Sequence, residues 1–234
     1  MLSALRTLVG GRNGPLPRNA PAPDPALERA ARRSTAEYIT ARMTSARLCS
    51  CREEVLDIAL ERMPGEGLIC EFGVFQGQTI TYLAQQSPDR RLFGFDSFEG
   101  LPEDWRGPFE RGVFDLKGRL PRVPSNVELI KGWFSATLPG FVGAHPGPLA
   151  LLHVDCDLYS STRCILDHLG ERIVPGTIIV FDEYFDYPGW EDHEFRAFRE
   201  FVVDHGVSYR YLAYNRLHEQ VAVEILDRQD EATG

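Results

Sequence analysis

The sequence predicts an α/β protein built on a doubly wound, mainly parallel sheet of seven strands. Two observations support this prediction: short apolar runs alternate with helical patterns along most of the chain, and a turn containing glycines follows the first run. Parallel strands are buried on both faces, so they read as continuous apolar stretches joined by helical crossovers. The last two runs have no helix between them and are therefore expected to form an antiparallel hairpin at the C-terminal end.

The order of the elements follows from these patterns. Residues 1–25 are rich in Pro, Gly and Arg and are expected to form a flexible basic extension, because repeated prolines prevent a regular helix. Residues 26–234 are predicted to form a single domain that starts with a helical pattern from Ala26 to Met63. The predicted strands are Leu68–Phe72, Arg91–Phe95, Val127–Lys131, Leu149–Val154, Thr177–Phe181, Tyr209–Tyr214 and Gln220–Ile225. The helices between them are Thr79–Gln86, Ser135–Phe141, Ser160–Arg172 and His193–His205.

Charge and composition narrow the classes of partner. Residues 1–50 carry eight arginines against three acidic residues, a net charge of +5, which leaves −14 for the rest of a chain whose total is −9. An acidic body argues against nucleic-acid binding. No apolar run approaches the ~20 residues that span a bilayer, so no membrane partner is expected. Five cysteines, an odd number placed mostly in apolar segments, are typical of a reduced protein, and we expect it in the cytoplasm.

Carboxylates follow two of the predicted strands. Asp155 and Asp157 come after Leu149–Val154, and the pair Asp182-Glu183 comes after Thr177–Phe181. Strand residues two apart point to the same side, and the carboxyl ends of parallel strands share one edge of a sheet. Oxygen ligands without a matching His or Cys cluster favour magnesium or manganese over zinc. The simpler alternative is that an acidic residue caps the helix starting near Ser160.

A glycine loop and an acidic residue indicate a nucleoside-containing ligand. The turn from Glu71 to Thr79 contains Gly73 and Gly77, which permit close backbone approach, but it lacks the complete dinucleotide fingerprint. By itself it is explained equally well as a structural turn. Asp96 ends the next strand, where a carboxylate can accept hydrogen bonds from ribose hydroxyls. Glu71 would repel a pyrophosphate but would suit the positively charged methionine part of S-adenosylmethionine.

Four segments together resemble the macrocin-type O-methyltransferases, which methylate sugar hydroxyls on macrolide and aminocoumarin antibiotics. The segments are Glu71–Thr79, Phe95–Pro102, His153–Tyr159 and Phe181–Tyr184. The resemblance covers roughly Leu68 to Phe201 and implies a Rossmann-like class I fold, S-adenosylmethionine and Mg²⁺ as cofactors, and a small hydroxylated acceptor. It also implies homo-oligomerisation, for which the sequence offers no independent indication. The pair Asp182-Glu183 departs from the paired aspartates of the sugar-modifying members.

The resemblance assigns roles to particular residues. The implied cofactor-binding residues are Glu71, Gly73, Phe75, Gly77, Thr79, Asp96, Ser97, Gly132, Trp133 and Asp155. The implied metal ligands are Asp155, Asp182 and Glu183. Asp157 is the expected general base, although Asp155 and Asp157 can exchange roles, and His193 is a second catalytic candidate because an ordinary imidazole pKa of ~6.5 suits proton transfer. Trp133 fits an adenine contact and a core position equally well.

We therefore predict a magnesium-assisted, S-adenosylmethionine-dependent O-methyltransferase acting on a hydroxyl of a small molecule, a sugar or a glycosylated natural product. A metal-dependent glycosyltransferase that uses Asp155-x-Asp157 is the main alternative, but it leaves the glycine loop and Asp96 without a role. A non-catalytic binding protein of the same fold is the other alternative. The acceptor and the methylated position are not specified by the sequence, because loop residues determine them.

Overall fold

A computed structural model describes residues 24–217 and 219–228 and shows an α/β sheet with helices on both faces. The helices are α1 (Pro25–Arg42), α2 (Arg52–Arg62), α3 (Gln78–Gln86), α4 (Phe134–Ala144), α5 (Tyr159–Leu169) and α6 (Glu194–Asp204), with 3₁₀ turns at Gly170–Arg172 and Trp190–Asp192. The strands are β1 (Arg47–Leu48), β2 (Leu68–Phe72), β3 (Leu92–Asp96), β4 (Val127–Lys131), β5 (Leu149–Val154), β6 (Ile178–Phe181), β7 (Val207–Tyr214) and β8 (Val221–Arg228).

The strands lie in the order β1-β7-β8-β6-β5-β2-β3-β4. Strand β8 pairs antiparallel with both β6 and β7, and the other pairings in the described sheet are parallel. The predicted fold class and its C-terminal antiparallel hairpin are confirmed. The predicted count of seven strands is wrong for the described residues, because the two-residue strand β1 adds an eighth, with Leu48 opposite Tyr214.

The predicted helix from Ala26 to Met63 is divided in two. Helix α1 begins where the Asp24 side chain accepts a hydrogen bond from the Ala26 amide at 2.8 Å, with Pro25 in the first turn. Between α1 and α2 the chain leaves the helix and forms β1 on the outer edge of β7. Unpaired backbone groups at a sheet edge attract a further strand, and a two-residue pairing leaves no periodic pattern in a sequence.

Two apolar layers enclose the sheet. Helices α2 and α3 pack on one face through residues such as Leu56 and Leu83, and α1, α4, α5 and α6 pack on the other through residues such as Phe141 and Phe198. Strands β5 and β6 are buried along their whole length, as the continuous apolar runs predict. The carboxyl ends of five parallel strands therefore meet along one edge of a rigid sheet.

The prediction for residues 1–25 lies almost entirely outside the described residues. In the ranges 24–217 and 219–228, no helix has both the length and the apolar composition that a bilayer crossing requires. The five cysteines all carry free thiols.

Candidate active site

A cavity of about 370 Å³ opens beyond the carboxyl ends of β2, β3 and β5. Strand β2 lies between β3, which follows it in the chain, and β5, so the cavity lies where the strand order reverses, the usual ligand position in a doubly wound sheet. Its wall contains eight of the predicted site residues: Gly73, Phe75, Thr79, Asp96, Ser97, Trp133, Asp155 and Asp157. Trp133 keeps 41% of its surface exposed and is not a core residue.

Gly73 brings the loop after β2 into contact with the loop after β5. Its φ is +98°, and its amide donates to the Phe95 carbonyl oxygen at 2.9 Å. A Cβ at this position would lie 1.7 Å from the carbonyl oxygen of Asp155. No side chain fits there, so the glycine is required by the close approach of two backbones as well as by the left-handed φ.

Asp96 lies on the cavity wall at the end of β3. Its Oδ2 accepts a hydrogen bond from the Phe75 amide at 2.7 Å, and its Oδ1 accepts one from the Phe98 amide at 2.6 Å. Phe75 and Phe98 both have positive φ values, 45° and 57°, which turn these amides toward the carboxylate. A carboxylate has about four acceptor positions, so one such group can hold the glycine loop and can also accept hydrogen bonds from a ligand hydroxyl.

Three predicted cofactor-binding residues, Glu71, Gly77 and Gly132, do not line the cavity. Gly77 has φ +79° and precedes the first turn of α3, and Gly132 has φ +143° and donates its amide to the Asp96 carbonyl oxygen at 2.9 Å. Both glycines shape the loops behind the wall. Glu71 is fully buried, and the partner that the structure gives it is His153, not a ligand in the cavity.

Glu71 and His153 begin a buried line of charged groups. They are register partners on β2 and β5, and Glu71 Oε2 lies 3.1 Å from His153 Nδ1. His153 Nε2 lies 3.7 Å from Asp182 Oδ1, and Asp182 Oδ2 lies 3.9 Å from an Arg52 nitrogen. Gln220 donates to Asp182 Oδ1 at 3.1 Å. Acidic and basic groups therefore alternate along this line.

The protonation of His153 follows from its neighbours. Burial lowers the pKa of His153, but the contacts with Asp182 and Glu71 outweigh burial and raise that pKa to about 10. Burial raises the pKa of Glu71, and His153 opposes that shift. An imidazolium that bridges two carboxylates supplies counter-charge at this edge of the sheet.

The ligating atoms that come closest together belong to His153, Asp155 and Asp182, which lie within 4.8 Å of one another. A histidine thus lies together with two of the predicted acidic residues in this group of potential ligating atoms. His153 precedes Asp155 by two residues in an extended segment, so the same period-2 rule that paired the aspartates would have included it. Asp155 and Asp182 fit Mg²⁺, which commonly uses one or two protein carboxylates and completes its shell with water.

Among the described residues, that close group of ligating atoms does not include Glu183. The residue that precedes α5 is Leu158, whose own side chain makes no capping hydrogen bond. Asp157 is nearly fully buried with φ 69°, which turns the chain sharply between β5 and α5.

His193 lies beside the cavity and not on its wall. It precedes α6, is partly buried, and contacts the rings of Trp105 and Tyr187 at 6.3 and 6.1 Å between centroids. Burial, followed by the positive charge of Arg106, lowers the pKa of His193 below its usual 6.5. The imidazole is therefore neutral near pH 7 and can accept a proton.

Arg106 fastens the long loop between β3 and β4 to the rest of the protein. Its guanidinium donates two hydrogen bonds to Glu219, at 3.1 and 2.6 Å, and lies over the rings of Trp105 and Tyr187. A paired guanidinium held between two rings has little freedom to move. This loop also supplies Leu101 and Phe114 to the cavity wall, so its attachment shapes the cavity.

The sheet order, the glycine loop after β2 and the acidic residue ending β3 define a Rossmann-like α/β fold, with a cavity at the position where such sheets bind their ligands. Residues 70–184 match a family model described as a methyltransferase domain. A tetracenomycin relative from Streptomyces olivaceus, named 8-demethyl-8-(2,3-dimethoxy-alpha-L-rhamnosyl)-tetracenomycin-C 4'-O-methyltransferase, is 32% identical over 57% of this chain and 57% of its own length. Demethyldecarbamoylnovobiocin O-methyltransferase of Streptomyces niveus is 29% identical over 64% of this chain and 65% of its own length.

Solved structures share the fold. The crystal structure of the calicheamicin methyltransferase CalS11 has a TM-score of 0.56 and 22% identity, covering 92% of this chain and 98% of that one. The O-methyltransferase NovP has a TM-score of 0.52 and 22% identity, covering 75% and 77%. The chain is therefore similar in sequence and in fold to class I S-adenosylmethionine-dependent O-methyltransferases, and the resemblance seen in the sequence is confirmed. It matches 57% and 65% of the lengths of the two curated relatives above.

Proposed function

We propose that this protein transfers the methyl group of S-adenosylmethionine to a hydroxyl of a small molecule, a sugar or a glycosylated natural product. The observation that carries the proposal is the single cavity that joins Gly73 and Asp96 with Asp155 and Asp157. The curated relatives support the acceptor class, because their names describe O-methyltransferases for tetracenomycin, novobiocin and mycinamicin compounds. The third of them, mycinamicin III 3''-O-methyltransferase of Micromonospora griseorubida, is 28% identical over 62% of this chain and 63% of its own length.

The cofactor half of the proposed site lies along β2 and β3. Asp96 accepts hydrogen bonds from the ribose hydroxyls, while the amides at the start of α3, near Thr79, face the polar methionine part. Trp133 and Ser97 bound the adenine side. Glu71 lies behind the wall, where it holds His153. A cavity of about 370 Å³ is within the usual size range of small-molecule sites.

The acceptor half lies at the ends of β5 and β6. Asp155 and Asp182 would hold Mg²⁺, with Glu183 as a third candidate, and the ion would lower the pKa of an acceptor hydroxyl. Asp157, on the cavity wall, takes the hydroxyl proton. S-adenosylmethionine, when bound, would supply its methyl group to the acceptor oxygen and would leave as S-adenosylhomocysteine, with the electron pair of the broken carbon–sulfur bond on sulfur. His193 is the second candidate base.

The proposal includes a cytoplasmic location, which five free thiols support, and no nucleic-acid or membrane partner. Homo-oligomerisation stays a prediction that light scattering after size exclusion can test.

The direct test is transfer of label from S-adenosylmethionine to a panel of hydroxylated sugars and glycosylated natural products, with and without chelator. Transfer that chelator abolishes and added Mg²⁺ restores is the expected result, and unchanged transfer in chelator removes the metal from the proposal. The melting temperature with added ligand distinguishes the methyltransferase from the main alternative, a glycosyltransferase. S-adenosylmethionine or its demethylated product should raise the melting temperature of a methyltransferase, whereas a nucleotide sugar should raise that of a glycosyltransferase. Protection by the nucleotide sugar alone contradicts the proposal.

A further inference from the structure

Glu194, the first residue of α6, connects the two acidic loops of the site. It is fully buried, with no exposed surface, and it does not line the cavity. Its Oε1 accepts a hydrogen bond from the backbone amide of Asp157 at 3.2 Å, and its Oε2 accepts one from the backbone amide of Glu183 at 3.2 Å. One carboxylate therefore bridges the loop after β5 and the loop after β6.

The bridge is chemically specific. Both partners are N–H donors, so both oxygens of the side chain must act as acceptors, which only a carboxylate provides. A glutamine of the same size offers one acceptor and places an NH₂ group against the other amide. An aspartate keeps the charge but is shorter by one methylene and cannot reach both loops from the same backbone position. Burial, followed by the carboxylates of Asp157, Asp155 and Asp182, raises the pKa of Glu194, and the hydrogen bond from the Glu183 amide opposes that shift.

The bridge acts at the residues that carry the proposed chemistry. Asp157 has φ 69°, a left-handed conformation that is uncommon outside glycine and asparagine, and its amide is held by Glu194. Glu183 follows Asp182 directly, and its amide is the other end of the bridge. A change at Glu194 therefore alters the spacing between the proposed base and the proposed metal ligand, without replacing any residue on the cavity wall.

We infer that Glu194 is a positioning residue for methyl transfer: its carboxylate sets the distance and orientation between Asp157 and the Asp182-Glu183 turn through their backbone amides. The inference deepens the proposed function and rests on it for its kinetic consequence. Glu194 touches neither cofactor nor acceptor, so its loss should lower the rate of transfer and leave cofactor affinity as it is.

The test compares Glu194→Gln and Glu194→Asp with Glu191→Gln, an exposed glutamate three residues earlier that serves as the control. Both Glu194 variants are expected to lose about 100-fold in kcat, the usual cost of a displacement of ~1 Å at a reacting centre. The dissociation constant for S-adenosylmethionine, measured by calorimetry, and the kinetics of the control should match the wild type. Recovery of wild-type kcat in Glu194→Asp would show that charge alone matters and would overturn the inference.

A second measurement needs no acceptor. Amide hydrogen exchange in the wild-type protein, resolved by NMR, should show slow exchange at Asp157 and Glu183, and the two amides should exchange faster together in Glu194→Gln. If both amides of the wild-type protein exchange as fast as amides in unprotected loops, the two hydrogen bonds to Glu194 do not exist. This conclusion holds whether or not the variants fold. If no acceptor is ever methylated, the proposed function fails, and the exchange result still decides whether the bridge exists.

Discussion

Replacement of Gly73 by alanine tests the closest backbone approach in the proposed site. The added Cβ would lie 1.7 Å from the Asp155 carbonyl oxygen and 2.6 Å from its carbonyl carbon, whereas Cβ contacts under 3.0 Å are essentially never seen. The two loops must therefore separate by about 1.3 Å. Alanine at a φ of +98° adds a backbone cost, so two independent penalties fall on one substitution.

These penalties can be put in numbers. A left-handed φ costs an L-residue about 1–2 kcal/mol, and forcing extra atoms into a packed site costs about 1–3 kcal/mol. We expect Gly73→Ala to lower the free energy of unfolding by about 3 kcal/mol, which for a chain of this size lowers the melting temperature by roughly 6–12 °C. A shift of ~1 Å at Asp155 also predicts a loss of about 100-fold in kcat/KM.

The assay is thermal unfolding by circular dichroism together with methyl-transfer kinetics at a temperature where both proteins are folded. Gly140→Ala is the matched control, because this glycine lies inside α4 and an added Cβ meets nothing within 4 Å. That control should gain about 0.5–1 kcal/mol, the usual advantage of alanine over glycine in a helix. A Gly73→Ala protein that melts and turns over like the wild type would refute the inferred contact between the two loops.

Three further predictions concern the charged groups. Asp96→Asn keeps one of two acceptors and loses the charge, so affinity for S-adenosylmethionine measured by calorimetry should fall about 10- to 100-fold. Asp182→Asn should lower methyl transfer at least about 100-fold while cofactor affinity stays unchanged, because Asp182 does not line the cavity. Burial and Arg106 lower the pKa of His193, so its imidazole stays neutral to a lower pH than a free imidazole does. If His193 is the base, kcat/KM should stay constant down to below pH 6.5 and should fall at more acid pH, and His193→Asn should abolish that fall.

Each of these has a clear contrary result. Unchanged cofactor affinity in Asp96→Asn would place the ribose elsewhere in the cavity. If Asp182→Asn weakens cofactor binding and lowers methyl transfer only by the same factor, Asp182 belongs to the cofactor half of the site. If kcat/KM of His193→Asn still falls at acid pH with the same midpoint as the wild type, another group is responsible for the fall, and Asp157 remains as the base.

Much of the fold follows from local patterns. Strands β2, β4 and β5 have the bounds that the apolar runs predict, because strands buried on both faces produce uninterrupted apolar segments. The glycine loop and Asp96 were predictable as a pair because both occur at fixed places beside the first two strands of the alternating pattern. The division between α1 and α2 was not predictable, since β1 forms only because the edge of β7 is available.

The candidate site divides in the same way. Its acidic residues were identifiable from two strand ends, and the common edge of a parallel sheet brings Asp155 and Asp182 together. His153 was missed although the period-2 rule includes it, and Glu194 was missed because no periodic signal marks a side chain that bonds to two distant loops.

The sequence alone determined the α/β class, the antiparallel C-terminal hairpin, the glycine loop and the acidic strand ends, because each depends on residues close together in the chain. Only the tertiary structure decided which of these groups face the cavity. It turned Glu71 away from the wall toward His153, because register pairing between β2 and β5 makes those side chains neighbours. It also joined Asp157 to Glu183 through Glu194, a contact across 37 and 11 residues that depends on how α6 packs beneath both loops.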